Sequence, residues 1–439
     1  MSTQSPEWIT AARVLRRIGF GACGAEVDAA VAVGAPEDYV RASLDADFDN
    51  DPGLRATPMP DFDIPESPGD DAGESDTRRY RDLLAGQRHA LPTWWIQRMI
   101  AVENPALEKL TFLWHNHFAT SAAKVKIAHL MAGQNATLRR HCLGDFRTLA
   151  YAMLTDPAMI TWLDGQQNKV GSANENLARE FMELFVLGHA NGYSERDVRE
   201  GARALTGWTV DHDGHSTLVP ARHDDSTKEL LGASGDFAAE EFCDLVLASA
   251  GSARFVADRL WGQLASDEPP SERVVARLTT AFGPDHNLHA LTVAILTDPE
   301  FLANPATIVV GPVDWLIGMT RSLAVNIDAQ EHISTIISAL TALGQLPFYP
   351  PDVGGWPRGR AWLSTSGVDT RLRTSSRLVK DGDISVVDEA PARDRVDAVG
   401  YLIGVGSWTD RSADVLNGLS KNPAALVSAA VNTPEYLTT

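Results

Sequence analysis

Residues 174–188 read N-E-N-L-A-R-E-F-M-E-L-F-V-L-G and place charged side chains among leucine, phenylalanine and methionine at helical spacing. Glu175, Arg179 and Glu183 stand four residues apart, so on a helix they form a row of oppositely charged neighbours. Apolar residues occupy most of the other directions. The stretch is therefore predicted to be a helix that is buried nearly all round and that ends at Gly188.

The same helical period continues on both sides of this stretch, with no tandem repeat and no run of alternating strands. We therefore predict an all-α fold: a large multi-helix single domain over residues 1–439 with long irregular loops. Within it, residues 46–77 are rich in Asp, Pro and Gly and are predicted to form an acidic loop, mobile or draped over the body. One short β-hairpin is expected near 208–222, where the helical pattern loosens.

The composition limits the classes of partner. The chain has 439 residues, 44% of them hydrophobic, and a formal net charge of -20. Such an acid excess argues against binding to nucleic acid or to an anionic membrane surface. No apolar run approaches the roughly 20 residues of a membrane span, and no signal peptide is visible, so a cytoplasmic protein is expected.

Two histidines stand in the apolar stretch F-L-W-H-N-H-F-A-T-S at 112–121. If His115 and His117 both lie on a helix, they point about 200° apart and cannot bind one ion together. In an extended segment they would share a face, and chelation would become feasible. The sequence leaves both alternatives open, the first with each histidine hydrogen-bonded separately in the core.

Further groups of metal-ligand type occur downstream. Glu180 and Glu183 are three residues apart on a helix predicted to be buried, as in helix bundles that bind metals, although an ion-pair network fits equally well. His223 and Asp224 lie in a loop and suit either a divalent metal or a simple hydrogen bond. The predicted metal ligands are His115, His117, Glu180, Glu183, His223 and Asp224.

These clusters belong to a set of long motifs. The motifs are R-R-I-G-F-G at 16–21, W-W-I-Q-R-M at 94–99, the stretch at 112–121, D-P-A-M-I-T-W-L-D at 156–164, the stretch at 174–188, Y-S-E-R-D-V-R-E-G-A-R-A-L-T-G-W at 193–208, H-D-D-S-T-K-E-L-L-G at 223–232 and P-P-D-V-G-G-W-P at 350–357. In these motifs the chain resembles the bacterial DUF1800 family, which has no settled activity. Many members look exported and sit beside a sulfatase-like family, so the resemblance implies a partner protein of that kind.

The coincidence of family motifs with buried ionisable groups favours a metal-dependent enzyme, hydrolytic or oxidative, that acts on a small molecule or a modified polymer. Arg179 or Lys228 would steady negative charge on the substrate. The candidate catalytic residues are Glu175, Arg179 and Lys228. The candidate substrate-binding residues, which fall on motif positions, are Asn116, Asn174, Asn176 and Arg203. The cofactor would be a divalent or transition metal ion.

Two other functions fit the same residues. The first is a non-catalytic helical scaffold or binding protein, in which the polar clusters are buried structural networks. The second is a haem protein, with non-covalent haem on His115 or His117. The chain has no P-loop, dinucleotide-binding, nucleophile-elbow or H-E-x-x-H motif, which disfavours the enzyme classes that depend on them.

Overall fold

The protein is described by a computed structural model that covers residues 3–69, 71–189, 191–304 and 308–438. It is mostly helical, which confirms the predicted fold class. The first helices are α1 Pro6–Ile18, α2 Gly24–Val33, α3 Pro36–Leu44, α4 Pro52–Ala56, α5 Glu74–Ala101, α6 Ala106–His117, α7 Ala122–Val125, α8 Ala128–His141, α9 Phe146–Leu154, α10 Pro157–Trp162, α11 Asn176–Glu180 and α12 Glu195–Ala204.

The second half of the chain continues the helical pattern. Its helices are α13 Ala239–Leu247, α14 Ser252–Leu264, α15 Glu272–Phe282, α16 Leu288–Leu296, α17 Pro299–Ala303, α18 Pro312–Ser322, α19 Gln330–Ala342, α20 Thr365–Leu378, α21 Ser385–Asp388, α22 Arg395–Leu402, α23 Asp410–Leu419, α24 Pro423–Ala430 and α25 Pro434–Leu437. Short 3₁₀ turns lie at Phe48–Asn50, Gly165–Gln167, Pro220–Arg222 and Gly359–Trp362, and a π-helix at Phe181–Val186.

Two small antiparallel hairpins follow α12. Strands β1 (Trp208–Val210) and β2 (Ser216–Leu218) pair with Trp208 opposite Leu218, which confirms the hairpin predicted near 208–222. A second hairpin, β3 (Lys228–Leu230) with β4 (Ala233–Gly235), was not predicted. Its strands are three residues long, too short for the alternation that marks a strand in sequence.

The apolar side chains form two buried clusters, and α6 contributes to both. Leu110, Leu113 and Trp114 belong to the first cluster, with α1 to α3 and much of α8 to α16. Phe112 belongs to the second, with α5 and α18 to α24. Helix α6 is therefore buried on nearly every side. The single-domain organisation over 1–439 stays a prediction.

The acidic stretch 46–77 includes helical residues at positions where a loop was predicted. It contains the short helix α4, and α5 already begins at Glu74. The Phe62 side chain is 5% exposed, and the Phe62 carbonyl accepts a hydrogen bond from His129 Nδ1 at 2.9 Å. These two contacts hold the stretch against the body at Phe62, and its description as an acidic loop, mobile or draped, stays a prediction.

No helix in the described ranges combines sufficient length with sufficient apolar character to cross a bilayer.

Candidate functional site

His115 and His117, at the end of α6, have the helical arrangement and not the extended one that would let them chelate an ion together. Both lie on the helix, and each makes its own hydrogen bond. His115 Nε2 accepts the backbone N–H of Phe348 at 3.1 Å, and the rings of Trp95, Phe348 and Trp356 surround the imidazole. Burial lowers the pKa of His115 to about 3, so the ring is neutral at neutral pH.

His117 is held by the π-helix that follows α11. Its Nε2–H donates to the carbonyl of Phe185 at 2.8 Å, at a helix end where carbonyls lack an intrahelical partner. Burial, with the charge of Arg259 as a second cause, lowers the pKa of His117 to about 3. Because Nε2 carries the proton, Nδ1 presents a lone pair, and this buried atom has no hydrogen-bond partner in the described residues.

Arg179 confirms the predicted ion-pair row. Its guanidinium lies 2.9 Å from Glu175, 3.3 Å from Glu183 and 2.8 Å from Glu195. Hydrogen bonding to Glu195 is the largest cause that raises the pKa of Arg179. The row is a partly exposed edge, with the Arg179 side chain 29% exposed, so the prediction of burial nearly all round was wrong. The positive charge of Arg179, which was predicted to contact the substrate, is instead paired with the three carboxylates of Glu175, Glu183 and Glu195.

Glu180 stands beside this row. It is half-buried, and burial together with the charge of Glu183 raises the pKa of its carboxyl. Glu183 lies 3.3 Å from Arg179 and 3.2 Å from His189 Nδ1. The two glutamates are therefore adjacent, as their spacing predicted, but Glu183 already has partners in the protein.

The predicted site residues after α12 form a separate group. Arg203 Nε donates to Asp224 at 2.8 Å, and this hydrogen bond holds the pKa of Asp224 well below its usual range. His223 Nδ1–H donates to the carbonyl of Thr206 at 2.8 Å. Lys228 is fully buried, with Nζ 3.1 Å from Asp236. These groups brace the second hairpin against α12.

The asparagines at the start of α11 take part in hydrogen bonds with backbone N–H groups. Asn174 Oδ1 accepts the N–H of Asn176 at 3.0 Å, and the Asn174 N–H donates to Asn168 Oδ1 at 2.9 Å. These bonds form a turn of the kind that opens a helix. The Asn176 side chain is exposed. Binding of substrate by this pair stays a prediction.

The six predicted metal ligands do not come together as one group. Within the described ranges, the three side chains of ligand type whose donor atoms all lie within 4.8 Å of one another are Asp211, Asp213 and His215, in the exposed turn of the first hairpin. Asp211 Oδ1 accepts the N–H groups of Asp213 and His215, which accounts for the cluster as a turn. A metal cofactor stays a prediction.

A cleft lies instead between α6, α14 and the irregular segment that precedes α20. Its volume is about 70 Å³, and Asn116 is the predicted site residue that lines it. Asn116 Nδ2 donates to Gln263 Oε1 of α14 at 3.2 Å. Asn116 Oδ1 accepts the N–H of Trp356 at 2.8 Å. Asn116 thus joins three walls of the cleft.

The segment P-P-D-V-G-G-W-P at 350–357 is seated directly on α6. Gly355 has φ +87°, and a Cβ there would overlap the side chain and carbonyl of Asn116. Only glycine combines that backbone conformation with so close an approach. The segment is therefore fixed at Gly355, and Arg358 follows three residues later at the cleft.

Arg358 lines this cleft together with Lys109, Asp267 and Asp314. Arg259 lies on α14, one turn before Gly262 and outside the lining. The Arg358 guanidinium lies over Gly262 of α14, where a Cβ would overlap Nη1. Burial first, and then the charge of Arg358, lower the pKa of Arg259 to about 10. Within the described residues, neither guanidinium has a hydrogen bond or an ion pair.

The buried unpartnered atoms around the cleft are mostly donors. Besides Arg259 Nε, they include Gln263 Nε2 and Trp356 Nε1. Gln263 lines the cleft, whereas Arg259, Trp356 and His117, whose Nδ1 is an unpartnered acceptor, lie outside its lining. Sequence reasoning missed Arg259, Gln263 and Arg358. The irregular Pro- and Gly-rich segment marked the neighbourhood of Arg358, whereas an arginine on an amphipathic helix gives no signal.

These observations define a mostly helical protein with a cleft at the end of its central buried helix, where Arg358 has no ion pair within the described residues. The family described as "Protein of unknown function (DUF1800)" matches residues 13–438, so the chain belongs to this family and the predicted resemblance is confirmed. No curated protein and no solved structure matches the chain.

Proposed function

We propose that this protein binds an anionic ligand in the cleft between α6 and α14, with Arg259 and Arg358 as its charge partners. One observation carries the proposal: two neighbouring guanidiniums, one of them largely buried, have no counter-charge within ion-pair distance in the described residues. A buried charge is costly unless it is paired, so such an arrangement favours an anion that arrives with the ligand.

The acidic residues of the cleft are accounted for separately. Asp314 forms an ion pair with Lys109. Asp267 Oδ2 accepts the backbone N–H of Val309 at 3.0 Å, and no ion pair joins Asp267 to either arginine. The ligand's negative charge would therefore lie on the side of the cleft formed by Arg358, with Arg259 next to it on α14.

Titration with inorganic phosphate at low ionic strength tests this proposal. We expect Arg358→Ala, Arg259→Ala and Gln263→Glu each to weaken binding at least about tenfold. Gln263→Glu keeps the oxygen that accepts from Asn116 and replaces a free donor by negative charge. The matched control is Arg254→Ala on the same helix, because Arg254 is exposed and paired with Glu272 at 2.7 Å. Absence of binding to the native protein, or equal loss in the control, would overturn the proposal and favour a scaffold.

A metal-dependent enzyme is the second candidate, and the His117 tautomer supports it. Metal-binding histidines commonly donate one ring N–H to a carbonyl and bind the ion through the other nitrogen, and His117 has this arrangement with Nδ1 free. The nearby charge of Arg259 opposes a cation. Whether the reaction is hydrolytic or oxidative stays a prediction.

Elemental analysis and an absorption spectrum of tag-free protein and of His117→Ala test this candidate. If the site exists, about one equivalent of a transition metal is expected in the native protein and none in the folded variant. The same spectrum tests haem, which would have to displace the aromatic rings around His115. Native protein that takes up no metal on supplementation would rule against the metalloenzyme.

A further inference from the structure

We infer that the cleft selects a tetrahedral dianion, such as inorganic phosphate, sulfate or a phosphate monoester, over a carboxylate. This inference rests on the proposed function and names the class of ligand. It depends on the number of free donors, the local charge and the size of the cleft.

The donors outnumber what a carboxylate can accept. Arg358 and Gln263 line the cleft, the first with a whole guanidinium and the second with Nε2 buried and unpartnered. Arg259 Nε and Trp356 Nε1, on the same two segments of the chain, are also buried without partners. A carboxylate has two oxygens, and one guanidinium fork saturates their outer faces. The remaining buried donors would then stay unpaired, which is unfavourable. A tetrahedral group directs three or four oxygens to different sides and can reach donors on different segments of the chain.

The positive charges of the two arginines also favour a dianionic ligand. Arg259 and Arg358 are close enough for their charges to repel one another. Arg358 lines the cleft, and Arg259 lies beside it on α14. A carboxylate carries one negative charge and leaves one guanidinium uncompensated. A phosphate monoester carries about -1.5 to -2 at neutral pH and compensates both.

The cleft has room for a small group only. Its volume is about 70 Å³, compared with roughly 10–15 Å³ for one buried water by the same kind of measure. The nearly buried ring of Trp362 forms part of its wall, while Arg358 is exposed at the entrance. A terminal phosphate fits this space, with the remainder of an ester directed toward solvent.

Gly262 provides a way to change the site without changing its charge. The Arg358 guanidinium occupies the position that a side chain at residue 262 would fill, so Gly262→Ala displaces it. Gly133→Ala is the matched control, because Gly133 also lies on a helix, is exposed, and has nothing within 4 Å of an added Cβ.

Calorimetric titrations at fixed ionic strength with phosphate, sulfate, methyl phosphate, dimethyl phosphate and acetate test the inference. Phosphate, sulfate and methyl phosphate should bind at least about tenfold more tightly than acetate or the monoanionic dimethyl phosphate. Weaker methyl phosphate than phosphate would assign the site to the free ion, and equal or tighter binding to an ester. Gly262→Ala should reduce phosphate affinity about tenfold and remove the preference over acetate, while Gly133→Ala changes neither.

The experiment distinguishes failure of the proposed anion binding from failure of the preference for a tetrahedral dianion. If no anion binds, the proposed function itself fails. If acetate binds as tightly as phosphate and Arg358→Ala still abolishes binding, the anion site stands and the preference for a tetrahedral dianion is wrong. Circular dichroism of Gly262→Ala establishes that any loss occurs in folded protein, and Gln263→Glu provides a second variant if Gly262→Ala does not fold.

Discussion

Lowering the pH from 7 to 4.5 is expected to reduce the free energy of unfolding by roughly 5 kcal/mol through His115 and His117. Each imidazole takes up a proton near pH 6.5 in the unfolded chain but only near pH 3 in the folded protein, because burial disfavours the charged ring. Between these values the unfolded state binds more protons, so stability falls by about 1.4 kcal/mol per pH unit for each histidine. Typical domains have only about 5–15 kcal/mol in total.

Urea unfolding at pH 7, 5.5 and 4.5 measures this effect. His115→Gln and His117→Gln should each be less stable than the native protein at pH 7, yet each should lose roughly 2.5 kcal/mol less on going to pH 4.5. His212→Gln is the control, since that side chain is 91% exposed. Identical pH slopes in the native protein and both variants would show that the two rings do not resist protonation.

Acidification has the opposite effect at Asp156, where it raises the free energy of unfolding. Burial raises the pKa of this carboxyl to about 7, so its contribution to stability is lost as the pH rises from about 4 to about 7. Acidification therefore relieves a cost at Asp156 while it imposes one at the histidines. Because Asp156 is present in every variant, the difference between the native protein and His115→Gln isolates the histidine.

The fold class follows from the sequence because helix periodicity is local. Most helices, the first hairpin and the end at Gly188 were predicted from patterns within a few residues. The helix over 175–187 was only partly right, since α11 gives way to a π-helix at Phe181. That change of register accompanies the contact of His117 with the Phe185 carbonyl, a tertiary contact that periodicity does not encode.

The candidate site residues likewise comprise some that local spacing predicts and others that meet only through the tertiary fold. The Glu175, Arg179 and Glu183 row was predicted correctly because its members are one helical turn apart. Arg259 and Arg358 meet only through the fold and share no motif. A buried ionisable group can be recognised in sequence by its apolar neighbours, but whether it already has a partner depends on residues elsewhere in the chain.

Glu108 shows how far that dependence reaches. Glu108 lies two residues after the first residue of α6, where the sequence suggests an ordinary surface glutamate. Its side chain is nevertheless fully buried. Trp95 Nε1 donates to Glu108 Oε2 at 2.7 Å, and Arg139 donates to both carboxylate oxygens at 2.8 and 2.7 Å. A buried structural network of the kind that the scaffold hypothesis requires therefore fits Glu108 better than Glu183, whose side chain is 15% exposed.

Glu108→Ala is expected to lower the free energy of unfolding by about 3–5 kcal/mol, because it leaves the Arg139 cation nearly buried without its partner and the Trp95 N–H unsatisfied. Glu108→Leu combined with Arg139→Leu should recover most of the loss, since removal of both charges removes the desolvation cost. Glu37→Ala is the control: its ion pair with Arg41 is exposed and contributes at most about 1 kcal/mol. Urea unfolding of the single and double variants gives the coupling energy. A Glu108→Ala loss no larger than that of Glu37→Ala would mean that water reaches Arg139, and that α6 does not depend on this ion pair for its position between the two cores.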